Sequence, residues 1–87
     1  MSQQLQLTRV RAKLDAVVAS FIAHRLATNP TFTSAELHAW AQRHGHSAPG
    51  SADRVMRAMR TAGEIAYVLV DKSRGMYRAI ALDEVAA

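Results

Sequence analysis

Cysteine is absent from this chain, which excludes disulfides and thiolate metal sites and leaves the redox compartment undetermined. No apolar run approaches the roughly 18 residues of a membrane span, and the N-terminus lacks a secretory pattern. A soluble, cytoplasmic protein is the expectation. Aromatic residues are few, five in all, and acidic ones are outnumbered, seven against eleven lysines and arginines. The histidines His38, His44 and His46 invite a metal site, but no cysteine or nearby acidic ligand completes a tetrahedral set, and no metal is expected. No nucleophile with its base, no paired carboxylates and no glycine-rich phosphate loop can be assembled. The expectation is a non-enzyme without a cofactor.

What is present is a regular alternation of apolar and polar residues. An 87-residue chain that is 49% apolar supports one compact domain, and the expectation is that no second, ligand-sensing one accompanies it. Its net charge of +4 is unevenly placed: from Arg54 to Arg78 there are six basic residues against two acidic ones, Glu64 and Asp71. A local excess of that kind suits an anionic partner.

Val10, Leu14, Val17, Val18 and Phe21 recur at helical spacing, predicting a long first helix over about residues 8–27. It should end before Pro30, which lacks an N–H and keeps its predecessor out of the helical region. Residues 1–7 are an arm, a helix extension or a frayed end. Thr33 and Glu36 form a capping box, flanked by Phe32 and Leu37 in the positions of a hydrophobic staple, so a second helix starts at Thr33. Leu37, Trp40 and Ala41 are its buried face, and Gly45 closes it. A third helix follows after a short turn, beginning near Pro49 and reaching about residue 62. At about 100° per residue, Ala52, Val55, Met56 and Met59 share one arc, while Gly50, Arg54, Arg57 and Thr61 point away from it.

After Gly63 the period becomes two. Ile65, Tyr67 and Leu69 alternate with Ala66, Val68 and Val70, and a polar turn over residues 71–75 leads into a returning strand over residues 76–80. Thr31 and Phe32 are a candidate third strand. Residues 83–87 should be a mobile acidic tail, leaving residues 8–82 as the domain. The class is α+β, mainly α with a small hairpin.

Three stretches carry a family likeness: Phe32, Thr33, Glu36 and Leu37 entering the second helix; Arg54, Arg57, Met59, Arg60, Gly63 and Ile65 ending the third; and Gly75, Met76, Tyr77 and Arg78 leaving the turn. Over residues 10–80 the chain resembles the winged helix-turn-helix superfamily, three helices with a two- or three-stranded wing sheet. The resemblance implies double-stranded DNA binding by a small transcriptional regulator or accessory factor, with the third helix in the major groove and the wing on the backbone or minor groove. Arg54 and Arg57 become the base-edge candidates, bordered by Ser51 and Thr61. Arg60 and Arg78 would hold phosphates, as would Thr33 and Ser34 at a helix N-terminus. Lys72, Ser73 and Arg74 form the wing-tip set.

Each residue also has a plainer reading. Exposed arginines serve solubility, Asp53 stands four residues before Arg57 as an ion-pair partner, and Arg57 is placed to brace the wing. Few other side chains on that helix can read bases, so recognition through DNA shape would follow if Arg54 and Arg57 act alone. The rival function is a winged-helix module for protein interaction. RNA binding is disfavoured because Phe21, Phe32, Trp40, Tyr67 and Tyr77 are all needed for the core. The first helix and N-terminal arm are the candidate homodimer surface.

Overall fold

Helical periodicity begins earlier than the apolar stripe alone indicates: α1 runs over Gln3–Ala27, so the leading glutamine-rich segment extends the helix. The computed structural model describes residues 3–46 and 50–83, with side chains from Leu14 onward. Among the described residues are three helices and a three-stranded antiparallel sheet. The elements after α1 are β1 (Thr31–Thr33), α2 (Ser34–Arg43), α3 (Ser51–Thr61), β2 (Ala66–Asp71) and β3 (Met76–Ile80). No helix among them is long and apolar enough to cross a membrane.

α1 stops where its last carbonyls find other donors. The Thr28 N–H is shared between the His24 and Arg25 carbonyls, and the Thr28 hydroxyl donates to His24 O at 2.7 Å. Asn29 Oδ1 then accepts the N–H of Thr31, turning the chain past Pro30 into β1. The Pro30 carbonyl accepts from Ala79 N at 2.8 Å, which extends the β1–β3 ladder by one bond.

The capping box predicted at the start of α2 is present in both directions, Thr33 Oγ1 accepting from Glu36 N and Glu36 Oε1 from Thr33 N, each at 3.2 Å. Phe32 and Leu37 are both buried, as a hydrophobic staple requires. α3 ends in a Schellman pair: Gly63 N donates to Arg60 O and Glu64 N to Met59 O. Gly63 has φ +78°, a conformation that costs a residue with a Cβ about 1–2 kcal/mol. α2 closes with the same hydrogen-bond pattern onto Ala41 and Gln42.

The start of α3 differs from the expectation near Pro49. Its cap is Gly50, in the left-handed region, and the first helical residue is Ser51; Pro49 itself lies outside the described residues. The helix is accordingly Ser51–Thr61 and not 49–62.

The sheet order is β1-β3-β2. Tyr77 pairs with Phe32 on one side and Leu69 on the other, while Arg78 lies between Thr31 and Val68. One face of the sheet, carrying Phe32, Tyr77, Tyr67 and Ala79, packs on the helices. The core they complete comprises Leu14, Val17, Val18, Phe21 and Ile22 of α1, Leu37 and Ala41 of α2, and Ala52, Met56 and Met59 of α3. Ile22, outside the stripe expected for α1, is buried with it.

All five aromatic side chains join in one continuous chain. Trp40 meets Phe21 at 5.6 Å, Phe21 meets Phe32 edge-on at 5.1 Å, Phe32 stacks on Tyr77 at 5.6 Å, and Tyr77 meets Tyr67 edge-on at 5.5 Å. Such contacts each add about 0.5–1.5 kcal/mol beyond area burial, and here they bind α1, α2 and the sheet together. Leu69 departs from the expected pattern. It shares the core face with Tyr67 yet is 50% exposed. Beyond Asp83 the expected acidic tail lies outside the described residues.

Candidate nucleic-acid interface

α3 presents its cations because its apolar arc is committed elsewhere. Ala52, Met56 and Met59 are buried, with Val55 half-buried beside them, so Arg54, Arg57 and Arg60 project outward and are exposed. Among the described residues the ion pairs are Arg25 with Glu36 and Arg74 with Asp71. The three arginines of α3 are in neither, and Asp53 does not take up Arg57. Asp53, half-buried in the first turn of α3, leaves its Oδ1 without a hydrogen-bond partner. Thr61 Oγ1 donates to Arg57 O at 3.0 Å, so the hydroxyl proton is used within the helix. Ser51 is half-buried at the first helical position.

Arg60 is set apart from Arg54 and Arg57. Its guanidinium carbon lies 5.0 Å from the centroid of the Tyr67 ring, a cation–π geometry that draws it toward β2. The Tyr67 hydroxyl is buried without a hydrogen-bond partner. Burial pushes its pKa above the usual tyrosine value, and the nearby Arg60 and Arg57 charges offset part of that rise.

The hairpin turn is internally braced. Asp71 Oδ1 accepts from the N–H and the hydroxyl of Ser73 at 3.1 and 2.7 Å, while Gly75 N donates to Lys72 O at 3.2 Å. Arg74 Nε lies 3.5 Å from Asp71 Oδ2, yet its side chain remains 75% exposed. An exposed pair of this kind is worth at most about 1 kcal/mol, so a phosphate can compete for the guanidinium. Lys72 is exposed and forms no ion pair among the described residues.

Two of the sequence-derived contact sets are rearranged. Thr33 and Ser34 are occupied: Thr33 Oγ1 caps Glu36 N, and Ser34 N donates to Gly75 O at 3.1 Å. The Glu36 carboxylate already fills the positive end of α2 and pairs there with Arg25. Arg78 is exposed in the middle of the sheet, while its neighbour Ala79 is buried. Strand alternation therefore turns Arg78 to the face away from the helices, not to the side of Arg54 and Arg57. Arg57 makes no side-chain bond to the hairpin among the described residues.

One basic and aromatic grouping escaped the sequence reading. Trp40 is stacked by His24 at 5.0 Å and by His44 at 5.3 Å, and the Arg43 guanidinium lies 5.4 Å from its centroid. His44 Nδ1 is 2.8 Å from Trp40 O. The spacing of Arg43 and His44, three and four residues after Trp40, was the available signal; the contribution of His24 from α1 was not visible without the fold. Comparison with protein-family models, with curated proteins and with solved structures finds no match for this chain.

Proposed function

We propose that this protein is a double-stranded DNA-binding factor of the winged helix-turn-helix type, acting as a small transcriptional regulator or an accessory DNA-binding protein. The observation that carries this reading is the outward projection of Arg54 and Arg57 from a helix whose opposite side is held in the core. Their guanidinium forks suit guanine edges in a major groove about 12 Å wide. Lys72 and Arg74, in the hairpin turn joined to α2 through Ser34, form the second contact set, on phosphates or in the minor groove. Arg60, drawn toward Tyr67, flanks the helix as a phosphate contact. Thr33 and Ser34, already bonded internally, contribute shape and not charge.

The test is fluorescence anisotropy of a labelled random-sequence duplex titrated with the protein across a salt series. Micromolar or tighter binding that weakens steeply with salt is expected, because each neutralised phosphate releases counterions. Absence of binding even at low salt would overturn the reading and turn the search to protein partners.

A further inference from the structure

We propose that β2 is the pairing edge of a homodimer, two copies joining antiparallel, β2 to β2, about a two-fold axis at Val68. β3 lies between the other two strands, so the outer edge of β2 has no strand partner among the described residues. From Ala66 to Val70 this edge has no charge and no proline, the devices that normally discourage edge-to-edge pairing. Its side chains are also unusually apolar for a free edge. Of the five large apolar side chains exposed among the described residues, Val68, Leu69 and Val70 belong to β2, and Leu82 shares a groove with Val68.

The strand matches itself. In an antiparallel pair centred on Val68, residues equidistant from it stand opposite and point to the same face. Tyr67 of one copy then meets Leu69 of the other, extending the core face over the leucine that the helices leave uncovered. Ala66 meets the second copy's Val70, itself 54% exposed. Ala66, Ile80 and Leu82 help line an open groove of about 540 Å³, which the incoming valine would enter at its rim. Glu64, exposed just before β2, comes to the same end of the interface as the second copy's Lys72, exposed just after it, within reach of its long side chain, and symmetry makes that ion pair twice.

An isologous interface requires one patch complementary to itself, and a strand uncharged from Ala66 to Val70, with Glu64 before it and Lys72 after it, is such a patch; Asp71, the last residue of β2, is already paired with Arg74. A foreign strand would have to reproduce that order of charges. The register irregularity between Leu69 and Asp71 falls at Val70, the last residue of the shared ladder, so backbone pairing between the copies ends there and Glu64 and Lys72 meet beyond it through their side chains alone.

Sedimentation equilibrium of the full chain without DNA, from low micromolar to near millimolar concentration, tests this independently of the nucleic-acid reading. A species of twice the 9.5 kDa chain mass is expected. Val68→Lys, placing two lysines face to face, should weaken it at least about tenfold, with circular dichroism confirming the fold. Glu64→Lys should weaken it too, and Glu64→Lys combined with Lys72→Glu should restore it. A monomer at every concentration, a dimer indifferent to Val68→Lys, as pairing through α1 would give, or failure of the charge swap to restore pairing would each overturn the proposal.

Discussion

The N–H of Ser34 donates to the carbonyl oxygen of Gly75 at 3.1 Å, so the first turn of α2 holds the base of the β2–β3 hairpin. This bond joins residues far apart in sequence and carries the β1–β3 ladder, which pairs Thr33 with Met76, one step further, up to the turn that holds Lys72 and Arg74. Gly75 reaches that carbonyl position with φ +59°, while the space above its Cα is open enough for a methyl group, the nearest atom being Ser34 Oγ at 3.6 Å. Gly75→Ala should therefore cost backbone strain and not a clash, about 1–2 kcal/mol. Thermal denaturation should show a loss of at least about 4 °C, and an unchanged melting temperature would refute the strain.

Thr33→Ala removes the acceptor for Glu36 N while leaving Phe32 and Leu37 in place. A loss of about 1 kcal/mol is expected from urea denaturation. Glu36→Gln keeps a capping acceptor but removes the carboxylate charge from the half-buried Arg25 and from the positive end of α2; with Glu36 itself exposed, it should cost no more than Thr33→Ala. The reverse order would show that the ion pair, not the cap, holds the entry to α2.

Tyr67→Phe removes a buried hydroxyl that has no hydrogen-bond partner. Stability at neutral pH should change little, since a desolvated polar group is removed and its one polar neighbour, the exposed Arg60 guanidinium, keeps its place over the ring. The pH dependence gives a second reading. The folded-state pKa of Tyr67 is raised by burial, so above the unfolded tyrosine value of about 10 the unfolded chain holds fewer protons and stability falls as pH rises toward the folded value. Denaturation at neutral and alkaline pH should show this alkaline loss reduced in Tyr67→Phe. An identical alkaline profile in both proteins would remove Tyr67 as its source.

DNA binding should separate the cations by their settings. Arg54→Ala is expected to cost about 1–3 kcal/mol at a selected site and less on random duplex. Lys72→Ala should weaken all duplexes alike and reduce the salt slope by about one unit. Asp71→Asn keeps the oxygen that accepts from Ser73 and frees Arg74, so binding should strengthen on every duplex. Anisotropy across a salt series measures all three, and equal affinity of the variants and the wild type would dismiss the interface.

Much of the architecture was legible because it depends on short-range chemistry. The Thr33 and Glu36 capping box, the glycine ending α3 and the change of period after Gly63 are decided within a few residues, and the structure has each of them. The start of α3 was less legible, since Pro49 signals a first helical turn as well as a preceding one. Leu69 shows a different limit. Alternation correctly assigns its face, but whether that face is covered depends on how far the helices reach.

The sequence alone determined the kinds of elements, most of their ends, the apolar arc of each helix and the outward face bearing Arg54 and Arg57, because periodicity and capping act between near neighbours. Only the tertiary structure decided which charges are free. It joined Arg25 to Glu36 and Ser34 to Gly75, drew Arg60 to Tyr67 and left β2 as an open apolar edge. Those outcomes depend on contacts between segments distant in the chain, and local spacing carries no information about them.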